Sequence, residues 1–435
     1  MKRVLVISYY WPPTGGSGVQ RWVKFAKYLP SEGWQPVIYT PSNPERLAVD
    51  ESLLSEIPDC VEVLKTPIRE PYEIYRKLTG GASKGGPAAA SSGQVNPLNF
   101  QKKSLKQKIA VWMRGNLFVP DPRAGWVRPS VKFLRKYLSE HPVDALVTTG
   151  PPQSMHLIGL ALKKALGAGC PRWIVDFRDP WTQMFYFKHM GLSAFSRGRH
   201  RRMEQEVLDS ADAIISVTPL VQADFRAATR TPVHLITNGF DEDDFPALGA
   251  RRPEKFTIVH TGLFAADGNP LALWDVLERK CKADPEFRSA LQIRLCGKTD
   301  SQIISALEER GLGNNIENLG YCPHDLTTRE QQGAAMLILP LRQEPEYRKV
   351  LPGKIFEYLA ARRPVLGIGQ EDGAAARVLS DTGAGQMADW DRAEKMEEFV
   401  DACWEQWKRG EWRSVGSDIS AYSRRALTRK LTEIL

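Results

Sequence analysis

The segment VDFRDPW, residues 175–181, sets Asp176, Arg178 and Asp179 within four positions at the end of an apolar run. Charges placed there are costly to bury unless a ligand site solvates them or they pair with one another. In the first case a carboxylate orients an acceptor hydroxyl or takes its proton, and Arg178 holds a carboxylate or phosphate. That makes Asp179, Arg178 and Asp176 the candidate catalytic group. The competing reading is an internal Asp–Arg ion pair. A second constellation is PGKIFEYLA, residues 352–360: Pro352 and Gly353 open a helix, Lys354 stands in its first turn and Glu357 follows three residues later on the same face. A helix N-terminus with a lysine beside it receives phosphate, and a carboxylate one turn on accepts hydrogen bonds from ribose hydroxyls. Together they describe a site for a nucleoside diphosphate, against the plainer alternative of a surface i, i+3 ion pair. A third is PPTGGSG, residues 12–18, where Gly15, Gly16 and Gly18 allow positive φ and close approach of a ligand to the backbone. Their spacing is not GxGxxG, and the following strand ends in Tyr39 and Thr40 rather than an acid, so a dinucleotide fits poorly.

These residues need strands and helices to position them. RVLVISY at 3–9 is a β-branched apolar run, followed by the glycine loop, by a stretch with helical spacing and by a second strand, QPVIYT, at 35–40. That is a βαβ unit. Further strands are expected at 144–150, 173–179, 213–218 and 233–239, and the rhythm restarts at 256–262, 291–297, 316–321, 334–341 and 363–369. In open α/β sheets ligands bind beyond the carboxyl ends of the strands, which is where the DFRD group, Gly150 and Thr218 fall.

A chain of 435 residues exceeds what one core usually organises, so two domains are expected. The pattern divides it into an N-terminal Rossmann-like domain at 1–248, a C-terminal one at 249–416 and a helix at 417–435 returning to the first domain. A Gly/Ala/Ser-rich insert at about 78–105 reads as a mobile loop. The N-terminus, MKRVLVISYYWPP, reads as a buried strand rather than a leader, and no apolar run is long enough to span a bilayer. Six cysteines are scattered with no CxxC pair, from which a reducing compartment and no structural zinc are expected. The net charge of +8 suits an anionic partner. The stretch 101–137 mixes Lys102, Lys103, Lys106 and Lys108 with Trp112, Leu117, Phe118 and Trp126, a composition suited to an anionic membrane surface or an acceptor channel; the plainer reading is a helix pair with solvated charges.

The glycine loop, NGFDEDDF at 238–245, GLF at 262–264, LGY at 319–321 and the KIFEYLA helix, in that order, resemble family 4 glycosyltransferases of the GT-B fold. The resemblance implies an α/β protein with two Rossmann-like domains facing across a cleft. It also implies a nucleotide diphosphate-sugar donor bound mostly by the second domain, and transfer with retention, without a bound metal, to a glycan or lipid-linked acceptor. By that analogy Gly262 and Leu263 lie near the diphosphate and sugar, Lys298 and Lys354 neutralise phosphate, Gly353 opens the phosphate-binding helix, Tyr321 lies by the base and Glu357 binds ribose. Gly16 approaches from the other side. The chain departs from the family pattern where Glu-x7-Glu is expected: eight residues before Glu357 stands Lys349. The Arg and Lys pair expected after the first strand of the second domain is not evident in GLFAADGNP, and DFRD occupies the strand end where the family often carries His. The reading is of a cytoplasmic enzyme, peripheral on the inner face of the membrane, acting in surface polysaccharide or glycolipid synthesis. A non-catalytic nucleotide-sugar-binding subunit is the alternative. An NAD-dependent oxidoreductase is disfavoured by the glycine spacing, and nucleic-acid binding by basic residues spread without a recognised module.

Overall fold

The computed structural model describes residues 1–45, 49–69, 112–113, 115–245, 254–411, 416 and 418–435. The insert at about 78–105, with Lys102, Lys103, Lys106 and Lys108, lies outside the described residues. Contacts divide the chain into two compact units: Met1–Thr237 with Arg424–Leu435, and Asn238–Ser423. Residues 238–245 and 418–423, read from sequence as part of the first domain and of the returning helix, thus group with the second unit.

Each unit is built on a parallel sheet. In the first, β1 (Lys2–Ile7), β2 (Trp34–Pro41), β3 (Glu62–Thr66), β4 (Ala145–Gly150), β5 (Arg172–Phe177), β6 (Ala213–Ser216) and β7 (Val233–Leu235) lie in the order β3-β2-β1-β4-β5-β6-β7. Helices cover both faces, so the central strands are apolar throughout: Val4, Leu5, Val6 and Ile7 are all fully buried. One face packs on Trp126, Leu134 and Tyr137 of the helical stretch 124–140, the other on Trp22 and Phe25 of the helix Ser17–Tyr28. The C-terminal helix Arg424–Thr432 joins that second face through Leu427 and Leu431. The Arg425 guanidinium lies 4.5 Å over the Tyr28 ring and Arg429 Nε stands 3.2 Å from Glu32.

The second unit holds β8 (Phe256–Thr261), β9 (Leu291–Cys296), β10 (Ile316–Gly320), β11 (Met336–Pro340), β12 (Val365–Ile368) and β13 (Gly385–Ala388) in the order β10-β9-β8-β11-β12-β13. Its core includes an aromatic stack in which Trp404 lies 5.1 Å from Trp407, 5.4 Å from Phe256 and 5.1 Å from Phe287. Both sheets are Rossmann-like, and both reverse direction beside their first strand, β1 against β4 and β8 against β11. Those switch points open crevices at the carboxyl ends of the strands. Cys296, at the end of β9, and Cys322, the residue after Tyr321, come together with their Cα atoms 5.9 Å apart.

Candidate functional site

At the β1/β4 switch point of the first unit, the helix Ser17–Tyr28 starts from Gly16, whose φ of 103° admits glycine and strains other residues. From the first turns of that helix Arg21 and Trp22 reach inward to Asp176 at the end of β5. Arg21 Nε and Nη2 lie 3.2 and 3.0 Å from its two carboxylate oxygens, Trp22 Nε1 2.8 Å and Thr149 Oγ1 2.9 Å. Arg21 spends its remaining donors on the carbonyls of Ile236 and Thr237. Burial pushes the Asp176 carboxyl up, but the Arg21 charge and the three sets of hydrogen bonds outweigh it and hold the pKa below the usual carboxylate range. The expectation that Asp176 faces a ligand is therefore corrected. Its side chain is fully buried and its oxygens are taken. The internal ion pair exists, but its cation is Arg21 rather than Arg178.

Arg178 also turns inward, donating to the carbonyls of Gly18, Gly150 and Pro151. It clamps the glycine loop to the β4 turn, and a Cβ on Gly18 would stand 3.0 Å from its Nη1. Asp179 differs from both: it is half-buried, no hydrogen bond reaches it among the described residues, and burial raises its pKa, with Arg178 opposing. The loop that carries it is pinned at Trp181 and Thr182, whose backbone N–H groups lie 3.2 Å from the buried Glu204 carboxylate.

In the second unit, three strand-end turns lie side by side. Gly262 N donates to Cys296 O at 2.7 Å, Phe264 N to Lys298 O at 2.9 Å and Gly297 N to Gly320 O at 2.6 Å. Gly297 has φ 137°, and a Cβ there would fall 2.2 Å from Gly262 O, so this close approach requires glycine. The packing brings Gly262 (φ 83°), Leu263, Lys298 and Tyr321 to one edge of the sheet, with Lys298 and Tyr321 exposed. The helix Lys354–Ala361 starts beside it: Gly353 is its exposed N-cap and no side chain caps it, leaving its N-terminal dipole open to an anion. Lys354 Nζ lies 3.0 Å from His260 Nε2 and 3.4 Å from Leu263 O. Burial lowers its pKa to about 8, with Glu357 opposing. Glu357 instead accepts from Gln331 Nε2 at 2.9 Å, and that amide also donates to Thr261 Oγ1 at 3.0 Å. The alternative of a Lys354–Glu357 surface pair is not formed. The two side chains stay separate, each with capacity for a further partner.

The geometry therefore brings together Gly262, Leu263, Gly353, Lys354 and Glu357, with Lys298 and Tyr321 on adjoining turns. Residues 104–239 match the family model described as glycosyl transferase 4-like domain. The chain carries a glycosyltransferase domain. No curated protein matches the sequence. Among solved structures it is similar to sucrose-phosphate synthase from Thermosynechococcus elongatus, at 14% identity and TM-score 0.60, over 100% of this chain and 98% of that one. It is similar too to WaaG, a glycosyltransferase involved in lipopolysaccharide biosynthesis, at 14% identity and TM-score 0.54 over 99% of both chains. A third likeness is to S. aureus TarM in complex with fondaparinux, alpha-GlcNAc-glycerol and UDP, at 11% identity and TM-score 0.56, over 100% of this chain and 99% of that one. The expected two-domain α/β architecture of the GT-B fold thus stands, as does the resemblance to family 4 glycosyltransferases.

Four residues of this glycosyltransferase escaped the reading of its sequence: Arg21, Glu204, His260 and Gln331. His260 carried a signal, since strands of a doubly covered parallel sheet are apolar and FTIVHT holds one ionisable side chain. Arg21, Glu204 and Gln331 sit on polar-looking helices, and only the tertiary fold turns them inward.

Proposed function

We propose that this glycosyltransferase moves a sugar from a nucleoside diphosphate-sugar donor, held by its second unit, to a glycan or lipid-linked acceptor in surface polysaccharide or glycolipid synthesis. The observation that carries the reading is the pairing of Lys354, at an open helix N-terminus beside Gly262, with Glu357 one turn further on. In it the lysine and the helix dipole neutralise the diphosphate, and Glu357 receives the ribose hydroxyls. As the sugar leaves, charge grows on the β-phosphate, and a cation already fixed there stabilises it without reorganisation. Lys298 adds a second charge from the next turn, Gly262 and Leu263 line the sugar side and Tyr321 offers a ring to the base. No step invokes a metal. Asp179, the one member of the DFRD group not consumed by an internal hydrogen bond, is the candidate to orient or deprotonate the acceptor, and Arg178 and Gly16 shape the loop beside it. The WaaG and TarM descriptions, one naming lipopolysaccharide synthesis and the other UDP, support the substrate class.

We place the enzyme at the inner face of a membrane. Trp112, Leu117 and Phe195 are exposed at 49, 58 and 74%. Asn116 ties their two segments together, donating to Gly191 O at 3.2 Å and accepting from Ser193 N at 2.8 Å. Arg197, Arg199, Arg201 and Arg202 are exposed along the adjoining helix, an apolar and cationic combination that suits anionic headgroups. Among the described residues no helix is long and apolar enough to cross a membrane.

A panel of nucleotide sugars tests the proposal. One donor should be consumed in the presence of acceptor membranes, and the product should keep the anomeric configuration when followed by NMR. An inverted product removes retention. Lys349 in place of the first Glu of the paired motif favours a second reading, a nucleotide-sugar-binding subunit, and binding without consumption of any donor selects it.

A further inference from the structure

His260 is the one ionisable side chain of β8, is 1% exposed and stacks on Phe264 with ring centroids 4.1 Å apart. Its Nε2 lies 3.0 Å from Lys354 Nζ, and its buried Nδ1 has no hydrogen-bond partner. Two proton arrangements satisfy this contact. In one, the Lys354 ammonium donates to Nε2 and the imidazole proton sits on Nδ1. In the other, Nε2–H donates to a neutral Lys354 amine. The first holds one more proton, and only the first offers a charge to a diphosphate.

The surroundings leave the two arrangements close in energy. From β8 and its turn the lysine meets His260, the Gly262 backbone and Leu263 O, none of them charged; from its own helix Glu357 acts through space while hydrogen-bonded to Gln331. Burial first, then the Lys354 charge, holds His260 neutral, its pKa well below the ordinary value. Lys354 is itself lowered to about 8, so an empty site near that pH contains both forms.

We propose that His260 is a positioning residue for the donor diphosphate, holding Lys354 over the Gly262–Leu263 turn through Nε2 and coupling diphosphate binding to proton uptake by that lysine. The inference rests on the reading of this site as the diphosphate site. It assigns the imidazole a role beyond filling the core, since a phenylalanine would stack on Phe264 as well and leave no orphaned nitrogen.

Calorimetric titration tests it with whichever of UDP, GDP, ADP and CDP binds best. Wild type, His260→Gln and His260→Phe are compared from neutrality to about pH 9.5, in buffers of different ionisation heat. Wild-type affinity should fall as pH rises through about 8, with proton uptake on binding there. His260→Phe should stay folded, bind about tenfold more weakly at neutral pH and lose affinity at a lower pH, because the ammonium has lost its acceptor; His260→Gln should restore both. One shared pH profile for the three proteins, or no proton uptake by wild type near pH 8, would overturn the proposal and leave the diphosphate site intact. Failure of all four nucleotides to bind wild type at any of these pH values removes the site reading, and this inference with it.

Discussion

The two strand-end clusters contain similar side chains put to opposite uses. In the first unit Asp176 is satisfied by Arg21, Trp22 and Thr149, and Arg21 and Arg178 give their other bonds to backbone carbonyls, so their charge holds the β4 and β5 ends and the glycine loop in place. In the second unit Lys354 rests on a neutral imidazole and one long contact to a carbonyl, Glu357 on a single amide, and the helix N-terminus on nothing from a side chain. Satisfied charge makes a scaffold. Under-satisfied charge at a switch point makes a site, because a ligand can complete it.

The sharpest way to break this contrast is to cut each cluster. Asp176→Ala leaves the Arg21 guanidinium buried without its carboxylate and should cost about 3–5 kcal/mol of stability, measured by urea unfolding. Lys354→Met should leave stability unchanged or raise it, while weakening nucleoside diphosphate binding by about tenfold to a hundredfold. Equal destabilisation by the two variants would erase the distinction.

The same contrast appears at opposite ends of the pH scale. The Asp176 carboxyl is held below its ordinary value of 3.8, so its contribution is present above that value and is lost as pH falls through the lower folded one. The Lys354 ammonium is disfavoured in the folded state. Between about 8 and the ordinary 10.5 the unfolded chain binds more protons, and stability rises with pH across that window. The stability gap between Lys354→Met and wild type should therefore narrow as pH rises across that window. A gap that stays constant would place Lys354 in water.

Asp179 gives the smallest stability effect and sorts structure from chemistry within one cluster. Its raised pKa means that ionisation costs folding free energy, so Asp179→Asn should be neutral or slightly stabilising. Sugar transfer should nevertheless fall, while donor binding measured by calorimetry stays the same. Unchanged turnover would return Asp179 to the scaffold with Asp176.

How far the sequence carries the account depends on how locally each feature is encoded. Eleven of the strands were read from short, mostly apolar runs, most of them buried on both faces of a doubly covered sheet. The two missed strands lie at sheet edges: EVLKT of β3 has only two apolar residues, flanked by Glu62 and Lys65, and GQMA of β13 is short and opens on glycine. Lys354 and Glu357 were legible because a helix start and an i, i+3 spacing are local facts. The partner of Asp176 was not, because Arg21 lies 155 residues away and nothing in VQRWVKF says that its arginine turns inward. The proximity of Cys296 and Cys322 was hidden for the same reason: parallel β9 and β10 bring the two together across an intervening helix.

The most direct test is calorimetric titration of UDP, GDP, ADP and CDP into wild type and into the Lys354→Ala, Glu357→Ala double variant. One nucleoside diphosphate should bind wild type and lose at least a hundredfold in the variant, whose unfolding midpoint stays close to that of wild type. Equal binding by both proteins, or none by wild type, would contradict the assignment of the second unit as the donor site.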